Sequence, residues 1–301
     1  MSASSSAPSA TALRPGVPPA ALLARRGIDP RWYSSSLLTL ILVIGQWHFQ
    51  ILGDDYSGWA LALGTALLTE LVLSRALRGE WPNLLSAYIS GNSVAILLKP
   101  LALFWFPITS IVSIASKYVI QYRGRHLCNP TNFGVCIMLL AAPGSLTMLS
   151  HEWGNDWVMV AVIWSVGLLV VWRAKVWHLT ITYLVAFVAL AALRSALNGD
   201  PLQAELAPVT GPMYQLFMFF MVTDPKTIVR GRAKQVGVVL LVACVECAIR
   251  LACDWDWVPS DESHWLSPLR AAPPMFALFL VGPPAYFLDL WLANRRATMR
   301  A

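Results

Sequence analysis

The chain has 301 residues, 57% of them hydrophobic and 13% charged, about half the charge of an ordinary soluble domain. With a mean hydropathy of +0.58, that composition excludes a soluble enzyme. The 22 Lys and Arg against 16 Asp and Glu leave a net charge of +6. In so apolar a chain the distribution of charge among loops matters more than its sum, and nucleic acid is not an expected partner. Five Cys without a short extracellular framework do not make a disulfide scaffold.

Residues 1–33 are rich in Ser, Ala and Pro and lack the apolar core of a signal peptide, so they read as a disordered cytoplasmic tail. From Ser34 onward, apolar stretches recur at a spacing that fits ten spans, since about 20 residues cross a bilayer. The expected spans are 34–52, 56–77, 84–98, 102–119, 132–149, 157–172, 176–195, 213–223, 235–253 and 272–293. The expectation is an all-α polytopic membrane protein with a single integral domain over 34–294. Its halves lie at about 34–150 and 151–294, and a basic cytoplasmic tail closes the chain at 295–301.

The charges test that count. With a cytoplasmic tail and alternating spans, 18 of the 22 basic residues fall inside and 10 of the 16 acidic residues outside. One span too many or too few would invert every later loop and erase this asymmetry, so both termini are expected in the cytoplasm. The basic exceptions are Lys99, Arg194 and Arg270 outside and Arg250 within the ninth span. Nine of the 14 Trp lie near span ends, where an amphipathic ring suits the headgroup region.

The third and eighth spans are short. The stretch 87–100 opens with Ser90-Gly91 and closes on Lys99-Pro100; the stretch 209–225 opens with Thr210-Gly211 and closes on Asp224-Pro225. They are third in each half of a five-plus-five arrangement, and an odd number of spans per half inverts one half relative to the other. Two interrupted spans at matching positions point to a binding site near the midplane, because free backbone groups at membrane depth must line a cavity or be buried in protein. Two helices that merely stop at a Pro are the alternative.

Two passages carry a resemblance. One is Ser116-Lys117-Tyr118 with Arg125-His126-Leu127-Cys128-Asn129-Pro130-Thr131-Asn132-Phe133-Gly134; the other is Thr223-Asp224-Pro225-Lys226-Thr227 with Arg230-Gly231-Arg232. Together they resemble the membrane-subunit family that includes RnfD of the Rnf electron-transport complex and NqrB of the sodium-pumping NADH:quinone oxidoreductase. Within it they are most similar to a divergent UnbU-like branch associated with enediyne biosynthesis. The resemblance covers residues 84–250. It implies a ten-span inverted-repeat fold in a bacterial inner membrane, other membrane or redox subunits as partners, and electron or ion transfer as the role. RnfD and NqrB carry FMN on the Thr of a Ser-Gly-Ala-Thr motif, and no such motif occurs between Phe133 and Thr223. Covalent FMN is therefore not expected, and the resemblance leaves a noncovalent flavin (FMN or riboflavin) or a quinone. The alternatives are a secondary transporter or channel for a small solute and an accessory protein of natural-product biosynthesis.

Candidate site residues fall in three groups. Lys117, Arg123, Gly124, Arg125, Asn129 and Asn132 share a cytoplasmic loop, where Arg flanking Gly can hold a phosphate or carboxylate and Asn can cap the next span. Thr223, Asp224, Lys226 and Arg230 close the eighth span, with Asp224 expected to cap a helix beginning after Pro225 or to pair with Arg230. Glu246 lies near the middle of the ninth span with Arg250 one turn on. A charge at that depth costs about 2.5–3.5 kcal/mol, so a proton or cation path through Glu246, Arg250 and Lys99 stands against simple neutralisation of the pair. Glu70 is a weaker candidate of the same kind. Cys244 and Cys247 share a helix face without two further ligands nearby, so no metal site is expected. Without a nucleotide fingerprint or nucleophile constellation, a complete enzyme is not expected either.

Overall fold

The computed structural model describes residues 30–50, 52, 55–148 and 157–299. Most of the expected N-terminal tail, the loop residues Asp54, Glu152, Trp153 and Asp156, and residues 300–301 lie outside them. The described chain is all-α, with twelve α-helices, one π-helical turn and two two-stranded ribbons.

The first half runs α1 (Pro30–Phe49), α2 (Ser57–Arg78), α3 (Leu85–Leu97), β1 (Leu98–Pro100), α4 (Trp105–Val119), β2 (Gln121–Tyr122), β3 (Arg125–His126), α5 (Pro130–Ala141) and β4 (Leu146–Met148). The second runs α6 (Trp157–Arg173), α7 (Trp177–Asn198), α8 (Leu202–Thr210), α9 (Pro212–Leu216), a π-turn (Phe217–Met221), α10 (Arg232–Asp254), α11 (Pro268–Ala271) and α12 (Pro273–Thr298). Each expected span overlaps a helix, but the fifth, expected over 132–149, is helical only to Ala141 and its end forms β4, and the eighth is a five-residue α-helix continued by the π-turn. Four helices, α2, α7, α10 and α12, are long and apolar enough to cross a membrane. By helix length and hydropathy this is a multi-pass membrane protein, and outward-facing Leu68, Val72, Val185 and Leu241 suit contact with lipid. Helix α8 was not expected; it occupies a stretch read as loop and buries none of its residues. Helix α12 runs through Thr298, so Arg295 and Arg296 sit in its last turns, where cations complement the negative helix end.

Local chemistry sets the boundaries. Gly79 (φ +71°) and Gly199 (φ +78°) end α2 and α7 in the left-handed region, as a C-terminal cap requires. Helix α3 stops because Pro100 disfavours helical backbone at the residue before it. Its extended continuation β1 pairs antiparallel with β4, Lys99 opposite Thr147. At 13 residues, α3 rises about 20 Å, short of the roughly 30 Å hydrocarbon layer. The other short span ends in the π-turn, where the Val222 N–H donates to the Phe217 carbonyl at 3.2 Å.

The packing repeats between halves. Helix α2 packs on α3 and α4, α4 on α5, and α1 on α3; correspondingly α7 packs on α10, α10 on α12, and α6 on α9 and the π-turn. Across the halves α1 meets α6 and α5 meets α12, so first span touches first and fifth touches fifth. Close approaches need absent side chains. A Cβ on Gly91 would lie 2.8 Å from the Leu63 Cα, and one on Gly134 would overlap the Ser113 Oγ and lie 2.9 Å from the Ser113 Cα.

Candidate functional site

The start of α5 meets the turn that ends the short eighth span. Asn129 caps α5: its Oδ1 accepts from the Asn132 N–H at 3.1 Å, and Pro130 fills the first helical position, where no N–H is needed. The Asn129 Nδ2 donates to the Asp224 Oδ2 at 3.1 Å across 95 positions of sequence. Asp224 also accepts from the Lys226 N–H at 3.1 Å and the Thr227 hydroxyl at 3.2 Å. It therefore closes its own turn rather than pairing with Arg230, whose backbone N–H goes instead to Asp289 at 3.0 Å. Asp289 is buried and also accepts from the Lys234 ammonium at 2.5 Å. The Thr223 hydroxyl is buried and donates back to the Phe219 carbonyl. The Asn132 amide donates to the Met275 carbonyl at 3.2 Å, tying α5 to α12.

The loop between α4 and α5 is a tight hairpin. Arg123 (φ +52°) and Gly124 (φ +75°) occupy its two central positions, the pattern of a type I′ turn. Arg123 is exposed and donates to Asn294, while Arg125 is half-buried in β3, so the two guanidiniums do not converge on one anion. Lys117 leaves this group altogether: it is buried and pairs with Glu70. His126, whose Nδ1 lies 3.1 Å from the Cys128 carbonyl, is held below its ordinary pKa by burial, against the opposing pull of Asp224. Burial likewise pushes the Cys128 thiol up to about 11, leaving it an unreactive thiol.

A cavity of about 40 Å³ lies beside this cluster, with Asn129, Asn132 and Asp224 on its polar side and Phe133, Val239, Val242 and Phe279 among its walls. It has room for a few waters, whereas a cofactor pocket usually offers at least about 300 Å³. The Asn129, Asn132 and Asp224 side chains are moreover already engaged with the protein. These residues, as arranged, do not fit a flavin ring. A larger open groove of about 440 Å³ lies between α6, α8 and α9, lined by Trp157, Val160, Trp164, Val209, Thr210 and Gln215. Gln215 Nε2 donates to the Thr210 carbonyl at 3.0 Å, which orients the amide and leaves its buried Oε1 without a partner.

Each half buries one carboxylate between its second and fourth spans. In the first, Glu70 on α2 accepts from the Lys117 ammonium at 2.8 Å and the Tyr118 hydroxyl at 3.2 Å, both on α4. In the second, Glu246 on α10 accepts from Tyr183 on α7, from Tyr214 on α9 at 2.6 Å, and from the Arg250 Nε at 2.9 Å. Both acids stand eight residues before the end of their helices, at Arg78 and Asp254. Arg250 and Arg194 flank the Phe187 ring at 5.7 and 5.6 Å, and buried Arg194 pairs with Glu205 of α8 at 2.7 Å. Lys99 is not in this cluster. It is exposed on β1, in the first half.

Sequence reasoning missed Tyr183, Tyr214, Arg194, Glu205 and Asp289. A buried phenol normally finds a hydrogen-bond partner, so the Tyr in apolar stretches were the available signal for the first two. Cys244 is exposed while Cys247 is buried, and the two do not face one site.

No protein-family model matches the chain, and no curated protein matches it.

Proposed function

We propose that this chain is an RnfD/NqrB-like membrane subunit of an electron-transport system, taking part in electron or ion transfer across a bacterial inner membrane with both termini in the cytoplasm. The observation that carries the reading is the Asn129–Asp224 hydrogen bond: the two motifs that prompted the resemblance are far apart in sequence and join directly in space. The repeated helix pairings, with like spans meeting across the halves, support a ten-span, five-plus-five inverted repeat. The buried carboxylate that each half sets between its second and fourth spans, near opposite ends of antiparallel spans, supports an ion step.

Of the two carriers the resemblance leaves, quinone has the better support. The groove beside Trp157 and Trp164 has the volume of a ring site, and a small movement of the buried Gln215 amide would turn its unpartnered Oε1 to accept from a reduced quinone's hydroxyl. The residues' part is to hold that ring against indole faces and fix its orientation through the amide. Solvent extraction of protein purified from native membranes tests this. About one quinone per chain is expected, with loss in Trp164→Ala. Quinone-free protein whose solute uptake into liposomes is abolished by Asp224→Asn would replace this reading with a secondary transporter.

A further inference from the structure

We infer that Glu246, Tyr183 and Tyr214 form a proton-binding site, selective against sodium, in which a proton on Glu246 completes a closed ring of hydrogen bonds. This deepens the ion-transfer reading above and rests on it. Three oxygen-to-oxygen contacts close the ring: Tyr183 with Glu246 Oε2, Tyr214 with Glu246 Oε1 at 2.6 Å, and the two tyrosine hydroxyls with each other at 2.7 Å. Two phenols supply two protons. With Glu246 ionised, one of the three contacts has no hydrogen in it. With Glu246 protonated, the carboxylic acid donates to one tyrosine, that tyrosine to the other, and the other back to the acid carbonyl, so every contact holds one proton.

The Glu70 site is the internal control. Its carboxylate has two contacts, from Lys117 and Tyr118, and each donor brings its own hydrogen. That site is complete when ionised and has no place for an extra proton.

Arg250 works against protonation of Glu246, holding Oε1 from its Nε and a terminal nitrogen, each at 2.9 Å. The ring and the guanidinium therefore favour opposite protonation states, which suits a group that both loads and unloads. The groups facing Glu246 are Tyr183 from α7, Tyr214 from α9 and Arg250 on its own helix. Beyond Phe187 stands Arg194, paired with Glu205, with Cys247 beside it. The Arg250 side chain is 18% exposed against 1% for Glu246, so the route for exchange runs past the guanidinium toward the end of α10. Sodium is excluded by the same donors. A metal cation needs oxygen lone pairs turned inward, whereas phenolic O–H and guanidinium N–H groups already occupy both carboxylate oxygens.

Infrared spectra of the full chain in lipid nanodiscs, titrated with acid in potassium chloride, test the site. The expected result is a carbonyl band of a protonated carboxylic acid that grows as pH falls and shifts in D2O. It should be lost in Glu246→Gln, retained in Glu70→Gln and unchanged when sodium replaces potassium. Glutamine mimics the protonated acid, offering one donor and one acceptor to the ring, so Glu246→Gln should fold. Tyr183→Phe is the second probe: it removes the ring but leaves Arg250, and should move the band to lower pH. No titrating band in wild type, a band that survives in Glu246→Gln, or a band abolished by sodium would each overturn the inference. A titrating band without proton movement in liposomes sinks the ion-transfer reading and leaves the site standing. Proton movement without the band sinks this inference alone.

Discussion

Removing Lys117 should be among the most destabilising single changes in the first half. Its ammonium lies 2.8 Å from Glu70, with side chains only 7% and 10% exposed. Coulomb attraction at that separation is about 6 kcal/mol with an effective dielectric of about 20, most of it offset by the desolvation of both charges. Lys117→Met loses the attraction while the carboxylate stays buried with only the Tyr118 hydroxyl. The expected cost is about 3–5 kcal/mol, as for other buried pairs that lose one partner. Glu70→Leu combined with Lys117→Met removes both desolvation penalties and should return to within about 1–2 kcal/mol of wild type, since apolar replacements of whole pairs are often near neutral. Reversible unfolding in mixed micelles, followed by tryptophan fluorescence, measures Lys117→Met, Glu70→Leu and the double variant. A Lys117→Met cost below about 1 kcal/mol, or a double variant as unstable as the sum of its singles, would show that the pair is not a staple and would remove the contrast with Glu246.

Other consequences are testable separately. Gly134→Ala should destabilise by about 1–3 kcal/mol through overpacking, because the new methyl would overlap the Ser113 Oγ and lie 2.9 Å from the Ser113 Cα; Ser113→Gly in the same chain should recover part of the loss in a thermal melt. Asn129→Ala should cost about 1 kcal/mol for the lost cap, and amide exchange should rise at the Asp224 turn as well as at the start of α5. His126 is held below its ordinary value of 6.5, so the unfolded chain takes up its proton first. Its contribution is complete above about pH 6.5 and is lost as pH falls through the lower folded value; His126→Gln should flatten that acid-side slope, and an unchanged slope would refute the assignment. In right-side-out vesicles, a Cys at Gly199 should react with an impermeant thiol reagent and one at Thr298 should not; the reverse pattern would overturn the orientation.

Spans were legible because their signal is compositional: twenty apolar residues and sorted loop charges survive without tertiary information. Helix α8 was not, because its nine residues lie outside the span pattern, include Pro208 and bury nothing, so neither periodicity nor length marked it. Asn129 was legible as a cap from its position before Pro130. Its bond to Asp224 was not, since local sequence says nothing about a partner in the other half. Glu246 and Arg250 announced themselves as charges at depth. Tyr183 and Tyr214 did not, because a tyrosine in an apolar run resembles packing until its hydroxyl is seen to meet a carboxylate. Lys117 misled for the opposite reason: it sits among loop cations in the sequence, yet the last turn of α4 carries it back against α2.

The proposed inverted arrangement would also limit how an ion could cross. Glu70 and Glu246 each stand about 12 Å of helix rise from the end of their own helix; in the proposed topology those ends lie at opposite faces, so a fixed proton wire would have to bridge the middle of the bundle. The buried hydroxyls of α4 do not provide one. Thr109 donates to the Trp105 carbonyl at 2.8 Å, Ser110 to Ala62 at 2.9 Å and Ser116 to Ser113 at 2.6 Å. Their single protons are thus committed to backbone, and a relay needs hydroxyls that can pass a proton onward. Only the Ser113 Oγ among them is without a partner, and it is wedged against Gly134. On the proposed ion-transfer role, Glu246 would therefore exchange protons with the face near Arg250, and delivery to the other face would require the helices to move. The contact that such motion must break or carry along is the Asn129–Asp224 bond, which joins the start of α5 to the turn after the short eighth span.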